Sequence, residues 1–190
     1  MEHIKITKEA NEVIAMAYAQ ARKRSNEYIT PEHLLYAILI MNQKVADIIE
    51  NLGGNIERIR NDLEQFMEEE LEKTDGKEPK ESTGFKKVVF QALQIALTTE
   101  QQKLTMKHLI SSLYDLEESY AVYFLEKEGI EKQDVLFYFD YLEETEYKKI
   151  DIDEREEKGD GTGEYIKKYA VDLNKLVMEK GCLLYTSRCV

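Results

Sequence analysis

The sequence predicts an all-α domain of two tandem, pseudo-symmetric four-helix repeats, which together make eight helices. The segment TPEHLL at residues 30–35 returns 75 residues later as TMKHLI at residues 105–110. The same offset aligns apolar residues at helical spacing: Val13 with Val88, Ala17 with Ala92, Ala21 with Ala96 and Ile38 with Leu113. Further along, the offset becomes 76 and aligns Gly53 with Gly129. Repetition at a fixed period is typical of a structural unit that occurs twice.

The first half carries the start and stop signals of four helices. Thr7 is the predicted N-cap of the first helix, and Thr30 caps the second, with Pro31 at its first position. A third helix over residues 45–52 stops at Gly53. The fourth helix has its apolar stripe at Ile56, Ile59, Leu63 and Phe66.

The second half repeats this plan after a polar stretch. Residues 72–84 lack side chains that a core could bury, which predicts a flexible connector. The helical pattern restarts at Phe85, and a Thr105 cap begins the next helix. The last two helices are predicted at residues 120–128 and at about 131–143.

These signals place one domain ahead of a linker and a further segment. The predicted domain covers residues 1–143. Its first repeat lies at about 5–71 and its second at about 85–143. The charged, Gly-containing residues 144–163 predict an acidic flexible linker. Residues 164–180 begin a new amphipathic segment too short to fold alone, so we expect the start of a truncated domain. We interpret residues 181–190 as a non-native tail, because CLLYTS can be read from a sequencing-library adapter; a genuine exposed tail is the alternative.

Charge and hydropathy limit the kinds of partner. The formal net charge is −12, so no basic field would displace the counterions of nucleic-acid phosphates, and we expect no nucleic-acid binding. No apolar run reaches the roughly 20 residues that span a bilayer, and residues 1–3 begin no signal peptide. We therefore expect a cytoplasmic protein without membrane association. Cys182 and Cys189 lie outside the predicted domain, so no disulfide stabilises it.

The sequence lacks motifs for catalysis, phosphate binding or metal binding. It contains no P-loop pattern, and the Gly-rich residues 159–163 lack the P-loop lysine, so we expect no cofactor in this chain. His33 and His108 follow the caps Thr30 and Thr105 at the third helical position, and neither has a second ligand at i+3 or i+4. We interpret these four residues as structural caps, and we expect no metal site, no catalytic residue and no enzymatic activity.

Aromatic residues concentrate in the second half of the chain. Most have the helical spacing of core residues. Phe137 is offset from the core positions Val135 and Phe139, so one edge of the last helix is predicted to expose aromatic surface. Tyr138 and Tyr141 are i, i+3 neighbours there and are candidate peptide-binding residues.

The twice-used Thr-x-x-His cap, the tandem repeats and the connector resemble the N-terminal domain of the Clp/Hsp100 AAA+ unfoldases over residues 2–143. The stretch NEYITPEHLLYAIL at residues 26–39 is most similar to the ClpA type, and next to the ClpC type. Residues 165–175, with YAVDL at their centre, resemble the opening of the first ATPase module of those proteins.

The resemblance implies a substrate and adaptor recognition domain of the ATP-binding unfoldase subunit of an ATP-dependent Clp protease. A complete relative is an AAA+ ATPase that uses ATP and Mg²⁺ and passes protein substrates to the ClpP peptidase. The resemblance also implies that a ClpS-like adaptor docks at Glu27 and Glu32, with Ser82 and Thr83 close by. Asn26 stands where the ClpA pattern has histidine.

The two repeats differ at the acidic positions. Glu27 and Glu32 correspond to Gln102 and Lys107, so we expect that the fold does not require the acidic pair. The alternative interpretation is that both carboxylates complement a helix dipole. For the whole chain, the alternatives are a free-standing helical adaptor-binding module without an ATPase, and an enzyme with a helical active site.

Overall fold

The computed structural model describes residues 4–99, 102–142 and 145. The chain divides into two compact units, Met1–Asp140 and Tyr141–Val190. The described residues form eight helices and four two-residue strands, so the fold class is all-α, as predicted. In this part of the chain, no helix has the length and apolar character needed to cross a membrane. The predicted linker (apart from residue 145), truncated segment and tail lie outside the described residues.

The two repeats contain the same elements in the same order. The first repeat has β1 (Lys5–Ile6), α1 (Lys8–Lys23), β2 (Tyr28–Ile29), α2 (Pro31–Met41), α3 (Gln43–Asn51) and α4 (Ile56–Glu69). The second has β3 (Lys80–Glu81), α5 (Thr83–Thr98), β4 (Lys103–Leu104), α6 (Met106–Tyr114), α7 (Tyr120–Lys127) and α8, helical over residues 132–142. The helices α1 and α5 begin and end 75 residues apart, so the duplication extends to element boundaries.

The repeats exchange their strands. β1 pairs in parallel with β4, and β2 pairs in parallel with β3, so each pair contains one strand from each repeat. The backbone N–H of Thr7 donates to the carbonyl of Leu104, and that of Ser82 donates to the carbonyl of Ile29, both at 3.0 Å. The sequence did not predict these strands because two residues are too few to display a period of two.

The segment between the repeats is more regular than the sequence predicts. The Oγ of Ser82 accepts the backbone N–H of Phe85 at 3.1 Å, so Ser82 is the N-cap and α5 already begins at Thr83. Together with β3, this makes the prediction of a connector wrong for residues 80–84. The pairing partner β2 lies about 50 residues earlier in the chain, where a local pattern cannot reveal it.

Helix α2 lies at the centre of the domain. It packs against helices of its own repeat and against α5, α6 and α7 of the other. Its buried residues lie on all sides and are Pro31, Glu32, His33, Leu34, Leu35, Ala37, Ile38 and Leu39. A helix that is apolar around most of its circumference is typical of a core position. The repeats therefore share one core.

Two equivalent glycines end α3 and α7, as predicted. Gly53 has φ 88° and Gly129 has φ 75°, the left-handed conformation that favours glycine after a helix. The residues that follow them, Gly54 and Ile130, contact each other across the repeats: a Cβ on Gly54 would lie 2.8 Å from Cδ1 of Ile130. The junction has room for one large side chain, so the two repeats differ there.

Ser112 in α6 gives a test of core packing. Its side chain is fully buried, and its hydroxyl has no hydrogen-bond partner among the described residues. The equivalent position in α2 is Ala37, which is also fully buried. Because a buried hydroxyl without a partner costs about 1–3 kcal/mol, we expect Ser112→Ala to raise the free energy of unfolding by about 1 kcal/mol in urea denaturation. Ala37→Ser should lower it; a loss of stability in Ser112→Ala would contradict this account.

Candidate functional site

The predicted cap pairs lie at the start of the second long helix of each repeat. The backbone N–H of Thr30 donates to Nδ1 of His33 at 3.1 Å, and that of Thr105 donates to Nδ1 of His108 at 3.2 Å. The threonine hydroxyls lie 3.0 and 3.2 Å from the same nitrogens. Each imidazole therefore occupies the place that glutamate or glutamine takes in a common capping box.

His33 continues into a buried network that includes Asn26. Because Nδ1 accepts a backbone N–H, the ring proton lies on Nε2, which donates to Oδ1 of Asn26 at 3.1 Å. Asn26 is fully buried, and its amide donates to the carbonyl of Met67 in α4 at 3.0 Å. Asn26 thus joins α2 to α4. The sequence suggested only that it departs from the ClpA pattern.

The environment of His33 keeps its ring neutral. Burial is the main cause, and the nearby charges of Arg24 and Lys73 add to it, lowering the pKa of His33 from its ordinary 6.5 to about 3. Both ring nitrogens already have hydrogen-bond partners, so the ring has no lone pair left for a metal or a substrate. Within the described residues, no group of three or more His, Cys, Asp or Glu could hold a metal ion.

Glu32 lies inside the domain. Only 5% of the residue is exposed, and its Oε1 accepts the backbone N–H of Ala121 at 3.3 Å. Ala121 is the second residue of α7, so the carboxylate meets the positive end of that helix. Since α7 belongs to the second repeat, Glu32 links the repeats and offers no surface to a partner.

The difference between Glu32 and Lys107 therefore has a structural cause. Glu32 supports the contact of α2 with α7, whereas Lys107 forms an ion pair with Asp140 in α8. The interpretation that the missing acidic residue in repeat 2 marks a docking site is wrong for Glu32. Sequence alone could not separate the two cases, because Ala121 is distant in the chain.

Glu27, Ser82 and Thr83 come together at the strand pair β2–β3. The backbone N–H of Lys80 donates to the carbonyl of Glu27 at 2.8 Å, and the Lys80 ammonium lies 3.6 Å from the Glu27 carboxylate. Glu27 and Ser82 are half-buried, and Thr83 is exposed. This part of the predicted group forms a continuous surface where the two repeats meet.

Two residues of this surface were not singled out from the sequence. Tyr28 is 38% exposed, and the Lys80 ammonium lies 6.0 Å from the centre of its ring, within range of a cation–π contact. Only the pairing of β2 with β3 brings them together. We define the β2–β3 surface as Glu27, Tyr28, Lys80, Ser82 and Thr83. It offers a carboxylate, an ammonium group, a ring and hydroxyls that can form hydrogen bonds and ion pairs.

The candidate peptide-binding aromatics of α8 are less exposed than their neighbour. Tyr138 and Tyr141 are half-buried, whereas Phe137 is 69% exposed. On the edge of α8 that was predicted to expose aromatic surface, Phe137 is therefore the residue that is mainly exposed. More aromatic surface lies on α7, where Tyr120 and Tyr123 are 51% and 53% exposed.

Residues 5–135 match the family of Clp repeat (R) N-terminal domains. The chain belongs to this family. The chain is 24% identical over 178 residues to the ClpA homolog protein of Fuscovulum blasticum, covering 86% of this chain and 22% of that protein. It is 26% identical over 132 residues to a probable ATP-dependent Clp protease ATP-binding subunit of Chlamydia pneumoniae, covering 69% of this chain and 16% of that protein. The chain thus spans about a fifth of the length of these relatives.

The fold of the Clp repeat domain is also similar to a solved structure. The crystal structure of the Hsp104 N-terminal domain from Candida albicans superposes with a TM-score of 0.62 at 16% identity. The match covers 70% of this chain and 88% of that one. At this identity the likeness concerns the fold, and it agrees with the eight-helix architecture described above.

The role of Glu32 can be tested by removing its carboxylate. Glu32→Ala leaves the buried N–H of Ala121 without its partner, so we expect a loss of about 1–3 kcal/mol in the free energy of unfolding. The control is Glu27→Ala, which removes a half-exposed ion pair with Lys80 and should change stability by less than about 1 kcal/mol. Equal urea midpoints for the two variants would contradict the internal role of Glu32.

The neutral state of His33 makes stability depend on pH. Its folded pKa of about 3 lies below its ordinary 6.5, so between these values the unfolded chain binds the extra proton. Stability from this group is complete above about pH 6.5 and falls on acidification by about 1.4 kcal/mol per pH unit. We expect the stability difference between the wild type and His33→Gln to shrink as pH falls from 6.5, because groups common to both proteins cancel. Parallel curves in urea denaturation would refute this.

Proposed function

We propose that this domain recruits adaptor and substrate proteins for the ATP-binding unfoldase subunit of a Clp protease, and that the β2–β3 surface is its adaptor-docking site. Membership in the Clp repeat family supports a recognition role. In this proposal the subunit is of the ClpA type, the adaptor is ClpS-like, and ClpP is reached through ATPase modules that use ATP and Mg²⁺. The domain itself supplies binding and no chemistry.

The observation that supports this proposal most directly is that backbone hydrogen bonds hold Glu27 in place where the two repeats meet. Its backbone N–H donates to the carbonyl of Glu72 at 2.7 Å, and its carbonyl accepts the N–H of Lys80 at 2.8 Å. A side chain on a backbone held from both sides loses little conformational entropy when a partner binds. The neighbouring Thr83 is exposed in the first turn of α5, where its hydroxyl can contact the same partner.

The equivalent strand pair, β1–β4, gives a reason for a partner to bind one strand pair in preference to the other. By the 75-residue offset, Gln102 takes the place of Glu27, and Lys8 takes the place of Thr83. The β2–β3 surface therefore offers one carboxylate beside one ammonium group, whereas the equivalent positions of its counterpart hold no carboxylate and three lysines, Lys5, Lys8 and Lys103. A partner with basic groups would choose the β2–β3 surface, because charge complementarity directs encounter and register.

The test is a calorimetric titration of a ClpS-like adaptor into the purified chain. We expect the Glu27→Lys, Thr83→Lys double variant to bind at least about tenfold more weakly than the wild type, since it removes one carboxylate and adds two cations. The matched control is Lys8→Thr, which introduces threonine at the symmetry-related position and should leave affinity unchanged. Unchanged affinity in the double variant, with native helicity by circular dichroism, would refute docking at this surface.

A further inference from the structure

Four aromatic rings form a continuous cluster where the first repeat meets the second. Phe66 of α4 packs against Tyr120 of α7 with 4.3 Å between ring centres. Tyr120 lies 6.2 Å from Tyr123, which lies 5.5 Å from Phe124. We call Phe66, Tyr120, Tyr123 and Phe124 the α4–α7 aromatic cluster.

The outer half of this cluster faces solvent. Phe124 is 8% exposed and Phe66 is half-buried, whereas more than half of Tyr120 and of Tyr123 is exposed. Tyr120, Tyr123 and Phe124 share one face of α7 at i, i+3 and i+4 spacing. The buried Phe124 and the half-buried Phe66 pack against the exposed rings and fix their position, so the cluster presents a rigid aromatic surface. Contiguous exposed aromatic surface of this kind commonly marks an interaction site.

Four exposed carboxylates lie close to the cluster in the sequence. Glu69, the last residue of α4, and its C-cap Glu70 follow Phe66 by three and four residues, and Glu117 and Glu118 directly precede the N-cap of α7. All four are exposed, and within the described part of the chain none of them forms an ion pair. The acidic residues are therefore available to a charged partner.

One cation on α7 is already paired with a carboxylate. Lys127 follows Tyr123 by one turn of α7, and its ammonium lies 2.6 Å from a carboxylate oxygen of Asp62. That ion pair cancels its charge locally and also joins α7 to α4. The field around the rings is thus acidic.

We propose that the α4–α7 aromatic cluster binds a cationic, apolar segment of a partner protein, in which Arg or Lys side chains alternate with Leu or aromatic ones. Apolar side chains would cover the rings of Tyr120 and Tyr123, a cation would lie over a ring face, and the others would reach the carboxylates beside the cluster. Removal of aromatic surface from water supplies affinity, and the carboxylates supply selection for positive charge.

Charge also argues against two other occupants. A second copy of this chain carries the same formal net charge of −12, and two acidic surfaces repel each other. An anionic membrane would repel the same four glutamates. A cationic polypeptide is the occupant that fits both the rings and their surroundings.

This inference does not depend on the β2–β3 surface. The aromatic cluster lies on α4 and α7, and none of its residues belongs to that surface. A domain that fails to bind an adaptor through Glu27 could still bind a cationic segment through Tyr123. The two proposals therefore fail separately.

Fluorescence anisotropy with a labelled synthetic peptide of alternating Arg and Leu tests the proposal. We expect saturable binding to the full chain, weakened at least about tenfold in the Tyr120→Ser, Tyr123→Ser double variant and in the Glu117→Lys, Glu118→Lys double variant. The matched control is Phe90→Ser, which removes an aromatic ring of α5 that is 61% exposed and should bind like the wild type.

Two further probes separate the proposal from general attraction. A peptide of alternating Arg and Ser should bind at least about tenfold more weakly, and one of alternating Glu and Leu should not bind. Equal binding of the Arg–Ser peptide, or equal binding by the tyrosine variant with native helicity, would overturn the proposal. Binding of the chain to phosphatidylglycerol vesicles, or a dimer in analytical ultracentrifugation that the tyrosine variant abolishes, would overturn it in favour of another occupant.

Discussion

The exchange of strands between the repeats is the constraint on which the rest of the domain depends. Each repeat contributes one strand to β1–β4 and one to β2–β3, so neither strand pair can form within a single repeat. The last backbone hydrogen bond of each strand pair is donated by an N-cap residue, Thr7 or Ser82, whose side chain then accepts a backbone N–H from the first turn of the helix. The strand pairs thereby fix where α1 and α5 begin. Because the two strand pairs hold the repeats together, α2 can pack against helices of both repeats and become the centre of one shared core.

The two repeats differ in sequence where a contact in the structure accommodates only one of two equivalent residues. Gly54 and Ile130 are equivalent, yet the space beside Ile130 has no room for a Cβ on Gly54. Glu32 and Lys107 are equivalent, yet only Glu32 receives the N-terminus of α7. A duplicated chain that folds on itself cannot keep both copies identical at such junctions, because close packing and helix-end charges set different demands on the two sides.

The buried pair His33 and Asn26 is hydrogen-bonded within the core, whereas the two proposed binding surfaces leave groups exposed to solvent. His33 and Asn26 are fully buried, and their hydrogen bonds form a chain that ends on the carbonyl of Met67, so they stabilise the core without charge. The β2–β3 surface and the α4–α7 aromatic cluster instead keep exposed groups. Both lie where the two repeats meet, so each of these proposed recognition surfaces exists only when the repeats are joined.

The sequence by itself determined that two repeats are present, the order of their helices, and three of the caps that start them, Thr7, Thr30 and Thr105. These features depend on apolar spacing and on hydrogen bonds between residues a few positions apart, such as Thr30 with His33. Only the tertiary structure decided that Glu32 is buried, that Tyr28 and Lys80 lie beside Glu27, and that Phe66 of α4 packs against the exposed Tyr120 of α7. Each of these outcomes depends on contacts between residues that lie 50 or more positions apart in the chain, which periodicity and local motifs do not encode.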